Sequence, residues 1–208
     1  MDIDGRASYL VDHDNEVIGW NFGGKTGMYL SSGDGFGIGF GRSYDIVDEA
    51  FEVGDTEVKP GAYHMLGVGS GFGTNESRPL SVGSEAQYGE FFGGTRFGVD
   101  ANASWRATHQ LAIEWRYGHN RIDLPKDSTT TNVIGTRVSY SLNTRFFTKL
   151  FAQYNDTNDR AGVNFLLNYI YRPGSDFYLV YDQSWDTSDG LQARSWAILS
   201  KLTVLRSY

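Results

Sequence analysis

The sequence predicts an all-β chain of antiparallel strands, on two observations. Polar and apolar residues alternate along many stretches of the chain, which is the period of a strand that has one apolar face. The 208 residues also include 26 glycines and 15% aromatic residues, while hydrophobic residues make up only 40%. Glycine above its usual share of about 7%, together with many aromatic residues, is typical of strands joined by tight turns rather than of helices.

The composition excludes several other classes of protein. The chain has no cysteine, which excludes a disulfide scaffold and a cysteine-ligated metal site. Its 13 tyrosines, 13 phenylalanines and 5 tryptophans are too many for a disordered chain. It has no run of about 20 apolar residues, the length that a membrane-spanning helix needs. The net charge of -7 and the lack of a basic cluster argue against a nucleic-acid partner.

In the first half of the chain the alternation predicts six strands. The last of them shows it well, because Phe97, Val99 and Trp105 share one face while Arg96 and Asp100 share the other. In the third and fourth strands glycine occupies nearly every position of the polar face. The predicted strands are 6–11, 17–30, 35–48, 61–73, 80–88 and 95–106.

In the second half the same period predicts six more strands. Val163, Phe165 and Leu167, for example, oppose Gly162 and Asn164. The predicted strands are 110–122, 131–142, 145–154, 161–171, 176–185 and 195–206. No linker or change of composition interrupts the series, so we expect a single domain over residues 1–208.

The connectors of the second half alternate between short and long. The short ones are 107–109, 143–144 and 172–175, and the longer polar ones are 123–130, 155–160 and 186–194. Short turns at one end and longer loops at the other are typical of outer-membrane barrels. The sequence therefore predicts an antiparallel up-and-down transmembrane β-barrel of about 12 strands in the bacterial outer membrane, or the C-terminal part of a larger one.

Charged residues occupy the polar face in the middle of the predicted strands. In a membrane barrel this face lines a wet lumen, although the solvent-facing surface of a soluble barrel would also tolerate the charges. The predicted lumen-lining residues are Glu85, Arg96, Asp100, Glu114, Arg116, Arg137, Lys149, Asp182 and Lys201. For the carboxylates Asp100 and Glu114 we expect a structural ion-pair network with Arg96 and Arg116 rather than acid–base catalysis.

Aromatic residues cluster at strand ends on the apolar face. Trp196 and Tyr208 share parity and lie twelve residues apart, which spans roughly 30 Å along the membrane normal for a strand tilted by about 40°. Two girdles flanking an apolar band would have about this separation. The predicted girdle residues are Trp105, Trp115, Tyr171, Trp185, Trp196 and Tyr208. A last strand that ends in an aromatic residue also resembles the signal by which the barrel-assembly machinery recognises outer-membrane proteins.

Several segments resemble one particular family of bacterial proteins. They are FEV at 51–53, KPGAY at 59–63, SRPL at 77–80, QYN at 153–155, LNYIYRPGSDFYLVY at 167–181 and KLT at 201–203. The sequence is similar to the outer-membrane barrel of unknown function that follows a family-9-like carbohydrate-binding domain in Gram-negative bacteria. The resemblance implies a longer protein, with the export signal and the carbohydrate-binding domain outside this chain.

Two glycine ladders fall on the polar face of the third and fourth predicted strands. The central glycines are Gly35, Gly37, Gly39, Gly67, Gly69 and Gly71. Strict alternation argues against a phosphate-binding loop, which needs a strand, a turn and a helix. One interpretation is strong curvature or close approach of strands. The other is a smooth wall against which a plug, a loop or a ligand packs.

The sequence therefore predicts an outer-membrane barrel that acts as a pore or a membrane anchor, and the resemblance implies a link to carbohydrate handling. We expect outer-membrane lipid and lipopolysaccharide as its surroundings, and we expect no cofactor, metal site or enzymatic activity. The first alternative is a soluble β-barrel that binds a small apolar ligand. The second is an outer-membrane hydrolase, although no serine or histidine lies in a recognisable catalytic motif.

Overall fold

The computed structural model describes residues 1–53 and 56–205, and this part of the chain is all-β, as predicted. Fourteen strands are present in it and no helix. The strands are β1 (Asp2–Val11), β2 (Val17–Tyr29), β3 (Gly35–Val47), β4 (Phe51–Val53), β5 (Thr56–Val58), β6 (Gly61–Gly73), β7 (Leu80–Phe91), β8 (Gly94–Arg106), β9 (Leu111–Asp123), β10 (Ser128–Asn143), β11 (Phe146–Asn155), β12 (Arg160–Arg172), β13 (Ser175–Asp186) and β14 (Gln192–Leu202).

Twelve of these strands form one sheet, and the other two form a hairpin of their own. The order in the sheet is β1-β2-β3-β6-β7-β8-β9-β10-β11-β12-β13-β14, while β4 pairs only with β5. Neighbours in the sheet are thus neighbours in the sequence, apart from the inserted hairpin. The predicted all-β, up-and-down order of about 12 strands is confirmed.

Several strand boundaries differ from the prediction, and one hairpin was not predicted. Strand β1 begins at Asp2 rather than at residue 6, because the ladder with β2 continues to the pair Asp2 and Gly27. The hairpin β4–β5 was not predicted, since strands of three residues are too short to show alternation. Strand β14 ends at Leu202. Arg206 and Tyr208, to which the sequence assigned a strand and a girdle, lie outside the described residues.

The contacts between backbone segments divide the chain into two compact units. The first unit comprises Met1–Asn75, Val82–Ala101 and Gly118–Thr131, and the second comprises Glu76–Ser81, Asn102–Tyr117 and Asn132–Tyr208. Strands β8, β9 and β10 each contribute residues to both units. The faces, grooves and contacts described below each belong to one unit.

Both units leave their apolar faces exposed. In the first unit Ile38 is 59% exposed and Val68 is 55% exposed, and in the second Ile198 is 58% exposed. Among all described residues, Val58 and Ile122 are the only buried hydrophobic ones. The sheet therefore lacks the apolar core whose removal from water stabilises soluble domains.

No helix in the described part of the chain is long and apolar enough to cross a membrane.

The segment after β14 is hydrogen-bonded to the end of β12 and the start of β13. The backbone N–H of Thr203 donates to the carbonyl oxygen of Asp176 at 2.8 Å, and the N–H of Leu205 donates to Oγ of Ser175 at 2.9 Å. Ser175 is only 1% exposed. The Tyr171 hydroxyl also donates to the carbonyl oxygen of Thr203 at 2.8 Å. These bonds extend the contacts of the last strand beyond its own ladder.

We predict that Ser175→Ala lowers the free energy of unfolding by about 1–2 kcal/mol, because it removes Oγ of Ser175 and leaves the backbone N–H of Leu205 without its acceptor. The matched control is Ser141→Ala, at an exposed position, which should change it little. Urea unfolding of both variants in detergent or lipid measures the difference. Equal midpoints would show that the bond to Leu205 contributes nothing.

Candidate functional site

The polar face of the first unit carries a patch of facing glycines, which we call the glycine wall. Strand β3 pairs with β6 so that Gly35 faces Gly73, Gly37 faces Gly71, Gly39 faces Gly69 and Gly41 faces Gly67. The wall extends into both neighbouring strands. Gly41 also pairs with Gly23 of β2, and Gly67 with Gly89 of β7. The six glycines singled out in the sequence thus lie side by side in one sheet.

Some positions of the glycine wall have no room for a larger residue. A Cβ on Gly89 would lie 2.6 Å from Cα of Gly67, and a Cβ on Gly37 would lie 3.2 Å from the carbonyl oxygen of Thr26. At these positions glycine permits close approach of neighbouring strands, the first of the two interpretations drawn from the sequence.

Other positions of the wall have space. A Cβ on Gly41 or Gly73 would meet nothing within 4 Å, and one on Gly67 would meet its nearest neighbour at 3.7 Å. Strand packing therefore does not require glycine there. At these positions the lack of a side chain leaves the polar face open.

A groove of about 740 Å³ runs along the glycine wall. Charged and amide side chains line it, including Asp4, Arg6, Lys25 and Gln87. Lys25 faces both Asp4 and Gly39 across the ladder, so these residues share the polar face. Glu85 lies on the same face, since a Cβ on its partner Gly71 would be 3.3 Å from its Cγ. The groove therefore has polar side chains along it and the backbone of the glycines as its floor.

In the second unit the register also brings predicted residues to one polar face. Lys149 pairs with Ser139, two residues from Arg137, and Lys201 pairs with Tyr178. Asp182 accepts a hydrogen bond from Nδ2 of Asn164 at 2.6 Å. The Arg137 guanidinium lies 5.4 Å from the ring centroid of Phe151. Positive and negative side chains are therefore interleaved with amides and rings along β10–β14.

The predicted ion-pair partners differ from those in the structure. Glu114 pairs with Arg137, with Oε2 and Nη1 3.2 Å apart, and Arg137 was not among the arginines of the expected network, Arg96 and Arg116. Nε of Arg96 donates to Oδ1 of Asn120 at 2.7 Å. Asp100 lies over Gly118, where a Cβ would be 3.3 Å from its Oδ1. The alternation gives the face of each residue, but partners depend on register, which sequence alone left open.

Aromatic residues form rows across the apolar face of the first unit. Trp20, Tyr44 and His64 occupy one row, with Tyr9 facing Trp20. The ring centroids of Tyr44 and His64 are 4.7 Å apart. A second row, Met28, Phe36 and Phe72, lies eight residues away along each strand. Eight residues span about 26 Å of strand, or about 20 Å along the membrane normal at a tilt near 40°.

The second unit has the same spacing between two aromatic rows. Phe146, Tyr169 and Phe177 form one row, and Tyr154 and Trp185 belong to a row eight residues away. Of the predicted girdle residues, Trp196 faces Gln183 near the start of β14, and Tyr171 and Trp105 lie at the ends of β12 and β8. Trp115 instead lies inside β9, its ring stacked on Tyr117 at 6.1 Å.

Sequence reasoning missed the row of Tyr9, Trp20, Tyr44 and His64 in the first unit. Its signal was present, since each residue stands near a strand end at an apolar-face position. The row becomes visible only when the register aligns the four strands.

No family model matches the chain, so the resemblance to carbohydrate-linked barrels remains a prediction, and no curated protein matches its sequence. Three solved structures are similar to it. One is the NanC porin in a rhombohedral crystal form, with 17% identity over 97% of this chain and 98% of that chain and a TM-score of 0.39. The second is the KdgM porin in complex with disordered oligogalacturonate, with 9% identity over 88% of both chains and a TM-score of 0.35. The third is the KdgM porin, with 9% identity over 88% of this chain and 89% of that chain and a TM-score of 0.35.

We predict that alanine substitutions at two positions of the glycine wall have different effects on the free energy of unfolding. Gly89→Ala should destabilise the fold by about 1–3 kcal/mol, because its Cβ would overlap the backbone of Gly67. Gly41→Ala should be neutral or stabilising by up to about 1 kcal/mol, because alanine loses less conformational entropy in a strand. Urea midpoints of the two variants, compared with the unsubstituted chain, decide this. A Gly89→Ala variant as stable as Gly41→Ala would contradict the close approach.

Proposed function

We propose that the chain is a β-barrel of the bacterial outer membrane that acts as a pore. The observation that carries the proposal is the exposed apolar face, flanked in each unit by aromatic rows eight residues apart. The separation of about 20 Å is close to the apolar band of about 25 Å on outer-membrane barrels, which aromatic girdles flank on both sides. Lipid supplies the apolar surroundings that the sheet itself does not provide.

The soluble alternative fits the same face poorly. A soluble barrel directs its apolar face inward, where it packs as a core or encloses an apolar ligand. Here residues of that face, such as Ile38, Val68 and Ile198, are more than half exposed. The opposite face carries the glycine wall and the charged residues, which suit water rather than an apolar ligand.

The polar face supports a water-filled lumen rather than a purely structural anchor. Its charges are interleaved in sign, as in Arg137 with Glu114, and its glycine wall keeps side chains out of a groove of about 740 Å³. Porin lumens are polar and wet in this way. We propose the predicted lumen-lining residues, from Glu85 to Lys201, as the wall of the pore.

The finer parts of the proposal concern partners. We propose outer-membrane lipid and lipopolysaccharide against the apolar face, and the barrel-assembly machinery as the partner that inserts the chain. A periplasmic carbohydrate-binding domain is proposed on the sequence resemblance alone. We assign no catalytic role to the chain, and lipase and protease assays on refolded protein test that assignment.

A charge on the apolar face should prevent folding into lipid. Leu150 is 39% exposed and lies midway between the two aromatic rows of β11. We predict that Leu150→Arg destabilises the membrane-inserted state by about 2–4 kcal/mol, the cost of arginine near the bilayer midplane. Gln153→Arg, on the polar face of the same strand, should be tolerated.

Folding into lipid vesicles, followed by heat-modifiable migration on SDS gels, compares the two arginine variants. Equal tolerance of both, or cooperative folding of the unsubstituted chain in plain buffer, would contradict the membrane proposal and favour the soluble barrel.

Conductance across a planar bilayer tests the pore directly. We expect discrete channel openings from the refolded chain, whereas a permanently closed trace would favour the anchor. Gly69→Leu should lower the single-channel conductance, because its side chain would enter the groove. Ser70→Leu is the matched control, since the next residue of β6 points to the opposite face. Equal conductance of the two variants would show that the glycine wall does not line the path of the ions.

A further inference from the structure

The connector between β3 and β6 contains a hairpin with two different faces. Strand β4 pairs with β5 so that Phe51 faces Val58 and Glu52 faces Glu57. Because side chains alternate along a strand, the apolar pair lies on one face and the two glutamates on the other. Val58 is 1% exposed, while Glu52 and Glu57 are both exposed. The hairpin therefore packs through its apolar face and presents a carboxylate pair to water.

The hairpin is attached to side chains of the polar face in the first unit. The ring of Phe51 meets that of Phe92 edge to face at 5.4 Å, and Phe92 meets Tyr63 at 5.2 Å. The Tyr63 hydroxyl donates to the carbonyl oxygen of Lys59 at 2.7 Å. Tyr63 faces Asp45 in the ladder and has the parity of the glycine wall, so it lies on the polar face. The hairpin is thus held on the side that we propose as the lumen.

The backbone at Phe92 has an unusual conformation for a bulky residue. Phe92 and Gly93 form the two-residue turn between β7 and β8, with φ values of 44° and 83°. Glycine or asparagine usually occupies both positions of such a turn, and a bulky residue there is strained. The ring of Phe92 also meets Phe91 at 4.8 Å. Its three aromatic contacts offset the unfavourable backbone conformation.

The carboxylate pair of Glu52 and Glu57, in contrast, destabilises the hairpin. Like charges directly opposite each other destabilise a pair of antiparallel strands, and an isolated two-stranded hairpin is marginally stable in water. Among the described residues of the connector between β3 and β6, Asp48, Glu49, Glu52 and Glu57 are acidic, and Lys59 is the only basic one. The aromatic attachment therefore holds a strongly negative segment beside the polar face.

We propose that the hairpin β4–β5 is an acidic constriction of the pore that makes it select cations over anions, with Glu52 and Glu57 as the selectivity-determining residues. This inference rests on the proposed pore. Carboxylates beside a narrow aqueous path raise the local concentration of cations and lower that of anions. The class of solute favoured is small cations, such as potassium ions or protonated amines.

Reversal potentials of the full chain in planar bilayers under a potassium chloride gradient measure the permeability ratio of potassium to chloride. We expect a ratio above unity for the unsubstituted chain. In Glu52→Gln/Glu57→Gln the ratio should fall by about two- to fivefold, because the loss of two negative charges weakens the attraction for cations. The ratio should also approach unity near 1 M salt, where the screening length is about 3 Å.

The matched control removes the same charge from a different loop. Asp14→Asn/Glu16→Gln alters two acidic residues of the connector between β1 and β2, and its ratio should equal that of the unsubstituted chain. A ratio at or below unity in the unsubstituted chain would overturn the inference, as would an equal fall in both double variants. An absence of conductance would instead overturn the proposed pore.

Two further variants separate the charge of the hairpin from its folding. Glu52→Lys creates an opposite-charge pair with Glu57, which should stabilise the hairpin and still lower the permeability ratio. Phe92→Gly relieves the strained turn and removes the aromatic attachment, so conductance should rise and selectivity should fall while heat-modifiable migration is retained. Unchanged selectivity in Glu52→Lys, or unchanged selectivity and conductance in Phe92→Gly, would overturn the proposed constriction.

Discussion

The structure depends on one constraint, the separation of polar and apolar side chains onto opposite faces of a continuous antiparallel sheet. Each strand between β1 and β14 in this sheet pairs on both sides, and such pairing satisfies the backbone groups of strands that cross a bilayer. Since only Val58 and Ile122 are buried hydrophobic residues in the described part of the chain, the sheet does not gain its stability from a core of its own. Its apolar face requires an apolar solvent, and the aromatic rows suit the boundary between that solvent and water.

Glycine serves two purposes on the polar face. At Gly89 it lets two strands approach so closely that a Cβ would overlap the facing backbone, whereas at Gly41 a Cβ would meet nothing within 4 Å. The two interpretations drawn from the sequence, tight strand packing and an open wall, therefore apply to different members of the same patch. The open positions adjoin the groove where Lys25 and Gln87 lie, so they bear on what the polar face can admit.

The sequence predicted the fold class and most strand positions, because the alternation of polar and apolar residues is visible within each strand, whichever strands pair. It did not predict ion-pair partners, since these depend on register. Glu114 was expected in a network with Arg96 and Arg116, but it pairs with Arg137. The row of Trp20, Tyr44 and His64 was missed for the same reason. The hairpin β4–β5 was missed because three residues are too few to show a period, and because facing glutamates are an unusual cross-strand pair.

The bonds beyond β14 have a consequence for the alignment of the last strand. The backbone N–H groups of Thr203 and Leu205 donate to Asp176 and Ser175, so the end of β14 is held against the first two residues of β13. A slip of one residue would carry Lys201 onto the apolar face and turn Ile198 towards the polar one. The hydrogen bonds to Ser175 and Asp176 form only in the native register, so they disfavour the slipped alignment of the last strand.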